Sequence, residues 1–105
     1  MRSQKSDVVL IEDDLALGSS ISELLQLSGY TVNWLIDGVK ALDYLKNNTP
    51  DIIISDLMMP HMNGEQLYVN IRKNKKFSTV PFIMITVTSM IREFSAKSTT
   101  LALKI

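Results

Sequence analysis

Three short apolar runs constrain this chain more than any other feature: Val8-Val9-Leu10-Ile11, Ile52-Ile53-Ile54 and Phe82-Ile83-Met84-Ile85. All are rich in β-branched or bulky residues, and none alternates with polar ones. A strand that is apolar at successive positions needs cover on both faces, as in a parallel sheet flanked by helices. The segments between the runs have helical spacing instead. Leu17, Ile21, Leu24 and Leu25 form one stripe, closed by Ser28-Gly29, where a glycine accepts positive φ at little cost. Ala41, Leu42 and Leu45 mark a shorter helix ending at Asn47-Asn48, before the break at Thr49-Pro50. Leu67 and Ile71 stripe a third, and Arg72-Lys73 suits the negative end of its dipole. Thr31-Val32-Asn33-Trp34-Leu35 alternates more, as expected of a strand near a sheet edge. Alternating strands and amphipathic helices read as an α/β fold with a parallel sheet. Beyond Thr86, Met90, Ile91 and Phe94 are placed on a fourth helix. Leu101-Ala102-Leu103 is read as its last turn in preference to a short strand.

Bulk properties narrow the function. With 105 residues and 46% apolar content the chain fits one small domain with a core. Residues 1–6 are read as a disordered tail and 7–105 as the domain. Eleven basic and 11 acidic residues balance, which argues against a nucleic-acid-binding module. Without cysteine, disulfides and thiolate metal sites are excluded. The polar start from Met1 to Asp7 lacks the apolar core of a secretory signal, and the apolar runs are too short to span a membrane. A cytoplasmic location is the expectation.

The strand ends carry the chemistry. The first run ends in Glu12, Asp13 and Asp14, the second in Ser55-Asp56, and the third in Thr86. In parallel α/β sheets ligands bind beyond the carboxyl ends of the strands, so these groups should gather at one rim. Two carboxylates about 4 Å apart repel by roughly 4 kcal/mol at an effective dielectric near 20. Such a cluster takes up protons or a cation. Oxygen ligands alone favour Mg²⁺ over zinc. An Asp beside the metal is poised as a nucleophile toward a phosphoryl group, and the Thr86 hydroxyl is placed to hydrogen-bond a phosphoryl oxygen. Asp14 is read as a helix cap, His61 as an exposed loop residue, and Met58, Met59 and Met62 as loop packing. Trp34 is read as an apolar anchor on the outer strand. No P-loop, dinucleotide fingerprint or zinc-protease motif is present. A phosphohydrolase would need a second nucleophile or acid, and none is found.

Val9-Leu10-Ile11-Glu12-Asp13-Asp14 resembles the first-strand acidic motif of response-regulator receiver domains. The stretch from Ile53 through Asp56 and Pro60 to Gly64 is similar to their phosphorylation-site signature, and Val80 to Thr86 to their fourth strand. Asp13 and Asp56 lie 43 positions apart, and Asp56 and Thr86 lie 30 apart, in agreement with that family. The resemblance covers roughly residues 7–87. It implies a flavodoxin-like sheet of order 2-1-3-4-5 and a signalling domain rather than an enzyme. It implies Asp56 as acceptor of a phosphoryl group from a histidine kinase or phosphotransfer protein. Mg²⁺ would be held by Glu12, Asp13, Asp56 and the backbone carbonyl of Met58. Thr86 would be the switch hydroxyl, and Pro60 and Gly64 would shape the loop.

The chain departs from that pattern after Thr86. The family continues with a fifth strand that ends in a Lys-Pro pair, and then a fifth helix. No Lys-Pro pair occurs here, and by family spacing the lysine falls just beyond Ile105. Lys104 is a weak candidate for it, and Val87 replaces the usual small residue. The expectation is therefore a truncated receiver of sheet order 2-1-3-4. Strand 5 and helix 5 are missing or degenerate, and residues 88–105 are atypical. An uncovered sheet face and an open fourth-strand edge would invite homodimers. Phosphorylation would be weak without the lysine. The alternative is a degenerate receiver acting only as a protein-interaction module.

Overall fold

The computed structural model describes residues 5–86 and 100–104. The chain runs β1 (Asp7–Ile11), α1 (Leu15–Leu27), β2 (Thr31–Leu35), α2 (Gly38–Leu45), β3 (Ile52–Asp56) and α3 (Gly64–Arg72). A 3-10 turn (Lys75–Phe77) leads to β4 (Phe82–Thr86), and β5 (Thr100–Lys104) follows. All pairings are parallel, in the order β2-β1-β3-β4-β5.

The period of two along each strand sorts the apolar runs into two layers. Val9, Ile11, Ile53, Phe82 and Met84 pack with Ala41 and Leu45 of α2 and with Leu67 and Ile71 of α3. Val8, Leu10, Ile54 and Ile85 face the other way, with Ile21 and Leu25 of α1 against them. That explains why the runs do not alternate. Side-chain caps start each α-helix among the described residues: Asp14 accepts the Leu17 N–H at 2.9 Å, as read from the sequence, and Asp37 accepts that of Lys40 at 2.7 Å. Asn63 and Gln66 form a reciprocal capping box at the start of α3. Gly64 is thus the first residue of α3 rather than part of the preceding loop.

The sheet order 2-1-3-4 and the edge position of β2 agree with the sequence reading. The expected loss of the fifth strand does not. Residues Thr100–Lys104 form a strand paired with β4 along its whole length, from Phe82↔Thr100 to Thr86↔Lys104. A short apolar run has no periodicity that separates a helical turn from a strand. The backbone groups on the outer side of β4 decide it, because they need partners that a helical turn does not supply. The open edge of β4, one ground for expecting homodimers, is therefore occupied. The fourth helix expected around Met90, Ile91 and Phe94 lies outside the described residues, as do residues 1–4 of the expected tail.

Candidate functional site

Register brings the acids together. β1 and β3 pair Ile11 with Ser55, so the next residues, Glu12 and Asp56, stand side by side at the carboxyl rim. β3 and β4 pair Asp56 with Ile85, which places Thr86 one step further along the same rim. Carboxylate oxygens of Glu12, Asp13 and Asp56 all lie within 4.8 Å of one another. Lys104 ends β5 opposite Thr86, so the backbone sets this lysine at the same rim.

The surroundings differ from one acid to the next. Asp13 is exposed, Asp56 keeps 9% of its surface, and Glu12 keeps 1%. One Glu12 oxygen accepts the Asp14 N–H at 3.0 Å, while Oε1 is buried without a hydrogen-bond partner. Burial pushes the Glu12 carboxyl up to about 7. The Asp14 N–H opposes this, and the negative charges of Asp56 and Asp13 add to it. Asp56 is also raised, first by burial and then by Asp13, against the N–H of Met58 and other donors. That Met58 N–H reaches Asp56 Oδ1 at 3.2 Å. Two acids held toward protonation and an orphan buried carboxylate oxygen fit a hard cation, which would supply what these groups lack.

The loop after β3 is shaped for close approach. The Pro60 carbonyl accepts the Met62 N–H at 2.7 Å, and His61, exposed as expected, takes φ +69° between them. The Gly64 N–H donates to the Leu57 carbonyl at 2.9 Å. A Cβ on Gly64 would come within 2.6 Å of the Asp56 carbonyl oxygen and overlap the Met84 sulfur. Only glycine lets α3 begin this near the acid. Met59 is buried and Met62 packs on the core, as read from the sequence, but the Met58 side chain is 62% exposed. One residue was missed. Trp34 is more than an apolar anchor, since its Nε1–H donates to the Glu12 carbonyl at 2.9 Å. The signal available was chemical: an indole N–H near a core takes a polar partner.

Residues 8–100 match the family described as the response regulator receiver domain. The chain belongs to that family. Receiver domains are a signalling fold, not a classical enzyme family. The probable transcriptional regulator ycf29 of Pyropia yezoensis is 36% identical over 86 residues, which cover 82% of this chain and 39% of that protein. This receiver thus spans about two fifths of the length of that curated relative. Among solved structures, the chemotaxis response regulator CheY4 of Vibrio cholerae superposes with a TM-score of 0.79 at 29% identity. The match covers 83% of this chain and 72% of that one. The receiver domain of sensor histidine kinase PA1611 from Pseudomonas aeruginosa PAO1 gives 0.78 at 25% identity, over 83% of this receiver and 71% of that chain. That structure has a magnesium ion coordinated in its active site cleft. No helix among the described residues is long and apolar enough to cross a membrane.

Proposed function

We propose that Asp56 of this receiver accepts a phosphoryl group from the phosphohistidine of a histidine kinase or phosphotransfer protein, in the cytoplasm, within a domain spanning 7–105. The carrying observation is the cluster of three carboxylates within 4.8 Å, with one buried Glu12 oxygen unpartnered. Glu12, Asp13, Asp56 and the Met58 carbonyl would hold Mg²⁺. When bound, the ion offsets the charge of the acids and of the incoming phosphoryl oxygens.

The chain's own residues do the rest. An Asp56 carboxylate oxygen attacks phosphorus, the N–P bond of the donor breaks, and the imidazole leaves with the bonding pair and takes a proton. The Met58 N–H orients the carboxylate from its Oδ1 side. The Thr86 hydroxyl is assigned to a phosphoryl oxygen, and Lys104, level with it in register, to the remaining negative charge. Pro60 and Gly64 hold the loop that carries Met58.

Incubation with acetyl phosphate and Mg²⁺, followed by intact mass measurement, tests the reading. One phosphoryl group is expected on the wild-type chain and none on Asp56→Asn. An equal gain on Asp56→Asn, or no gain on the wild type at saturating Mg²⁺, would overturn it.

A further inference from the structure

Trp34 lies on β2, the edge strand, and pairs with Leu10 of β1. The next step along the rim is Glu12, and β2 grips both of its backbone polar groups. The Leu35 carbonyl accepts the Glu12 N–H at 3.0 Å, and the Trp34 indole N–H donates to the Glu12 carbonyl at 2.9 Å. The ring in turn is wedged against α1. A Cβ on Gly18 would overlap the indole and come within 2.8 Å of Nε1. Gly18 is buried, so the ring has no room to shift toward the helix.

This matters because the acids beside it repel one another. With their carboxyls ionised, the charges of Glu12, Asp13 and Asp56 oppose the clustered arrangement before a cation arrives. A loop free to splay would have to be gathered at the moment of binding, at a cost in affinity. A backbone tied at both N–H and C=O has that cost met during folding.

We propose that Trp34 is a positioning residue for the divalent-cation site, fixing the Glu12 backbone through its indole N–H while Gly18 backs the ring. The proposal rests on the reading of Glu12, Asp13 and Asp56 as the cation-holding carboxylates. Trp34→Phe keeps an aromatic ring and deletes the donor. Because Trp34 is the only tryptophan, biosynthetic replacement by benzothienylalanine gives a second variant, with ring size kept and sulfur in place of N–H.

The measurement is Mg²⁺ affinity by calorimetry on the full chain, with Mg²⁺ alone as titrant. Loss of one backbone-directed hydrogen bond should weaken Kd about fivefold in both variants. The Mg²⁺ concentration for half-maximal Asp56 phosphorylation should rise by a like factor, with the rate at saturating Mg²⁺ within about twofold of wild type. A merely structural role would lower the saturating rate and leave Kd in place. Wild-type Kd in the benzothienylalanine chain refutes the positioning role even if Trp34→Phe fails to fold. A wild-type chain that binds no Mg²⁺ overturns the underlying site reading instead.

Discussion

Replacing Glu12 by Gln removes a charge that the fold holds in an unfavourable place. The residue is 1% exposed, and burial raises its carboxyl from 4.5 to about 7. The folded value lies above the unfolded one, so the native state binds the extra proton between them. Stability from this group is complete below about 4.5, declines as pH rises through about 7, and is lost above that. At about 1.4 kcal/mol per pH unit the span gives on the order of 3 kcal/mol, trimmed to about 2 by the water that reaches exposed Asp13 at the cluster's edge. Gln is neutral at every pH and keeps an oxygen for the Asp14 N–H. Without Mg²⁺, Glu12→Gln should therefore match the wild type near pH 4.5 and exceed it by about 2 kcal/mol near pH 8.5. For a domain of this size that is a rise of roughly 10 °C in melting temperature.

Urea melts at the two pH values in EDTA measure the difference directly. Adding Mg²⁺ should close the gap at high pH from the wild-type side. A cation at ten times its Kd contributes about 1.4 kcal/mol to the form that binds it, and the Gln variant has lost one of the ligands. Asp56 is raised in the same direction and hydrogen-bonds with Glu12, so the difference between the two proteins reads Glu12 together with its effect on Asp56. A difference that stays flat with pH, or a variant less stable than wild type near pH 8.5, would refute the account of Glu12 as a strained buried acid.

Two further substitutions probe the loop that carries Met58. Asn63→Ala removes the Oδ1 acceptor of the Gln66 N–H at the start of α3 and should cost about 1 kcal/mol, seen as a lower urea midpoint at unchanged slope; no change would mean this side-chain cap contributes nothing. Gly64→Ala forces a methyl toward the Asp56 carbonyl and the Met84 sulfur. It should cost about 1–3 kcal/mol and slow acetyl-phosphate labelling of Asp56, and a variant that labels at the wild-type rate would show that the loop does not need this close approach.

The parts of this structure that the sequence made legible are those where polarity changes abruptly. Glu12, Asp13 and Asp56 end runs that are apolar on both faces, and that contrast marks a strand end whatever the tertiary detail. Asp14 announces itself as a cap in the same way. β5 is different. Thr100 to Lys104 has too few residues to show a period, and its state depends on the edge of β4, a partner separated from it in the chain. The Trp34 bond is hidden for a related reason. It requires β2 to lie beside β1 in one register and α1 to present a glycine at one position, neither of which is visible in the residues from 31 to 35.

Register itself is the deeper problem, because the apolar runs that build the sheet do little to fix it. Ile52, Ile53 and Ile54 are alike, and both faces of β3 are covered, so a slip of one residue exchanges one isoleucine for another in each layer. That slip would nevertheless carry the Asp56 side chain to the opposite face, away from Glu12 and Asp13. Resistance comes from the polar ends. At the start of β3, Asp51 Oδ2 accepts the Asp7 N–H at 2.7 Å. At its end, the Leu57 N–H donates to the Ile85 carbonyl and the Leu57 carbonyl accepts from Gly64, each at 2.9 Å. The bond from the Asp7 N–H to the Asp51 side chain is specific to this register and would be lost in a one-residue shift. Cohesion of the sheet thus resides in the interchangeable isoleucines, while the position of Asp56 depends on the few polar groups that flank them.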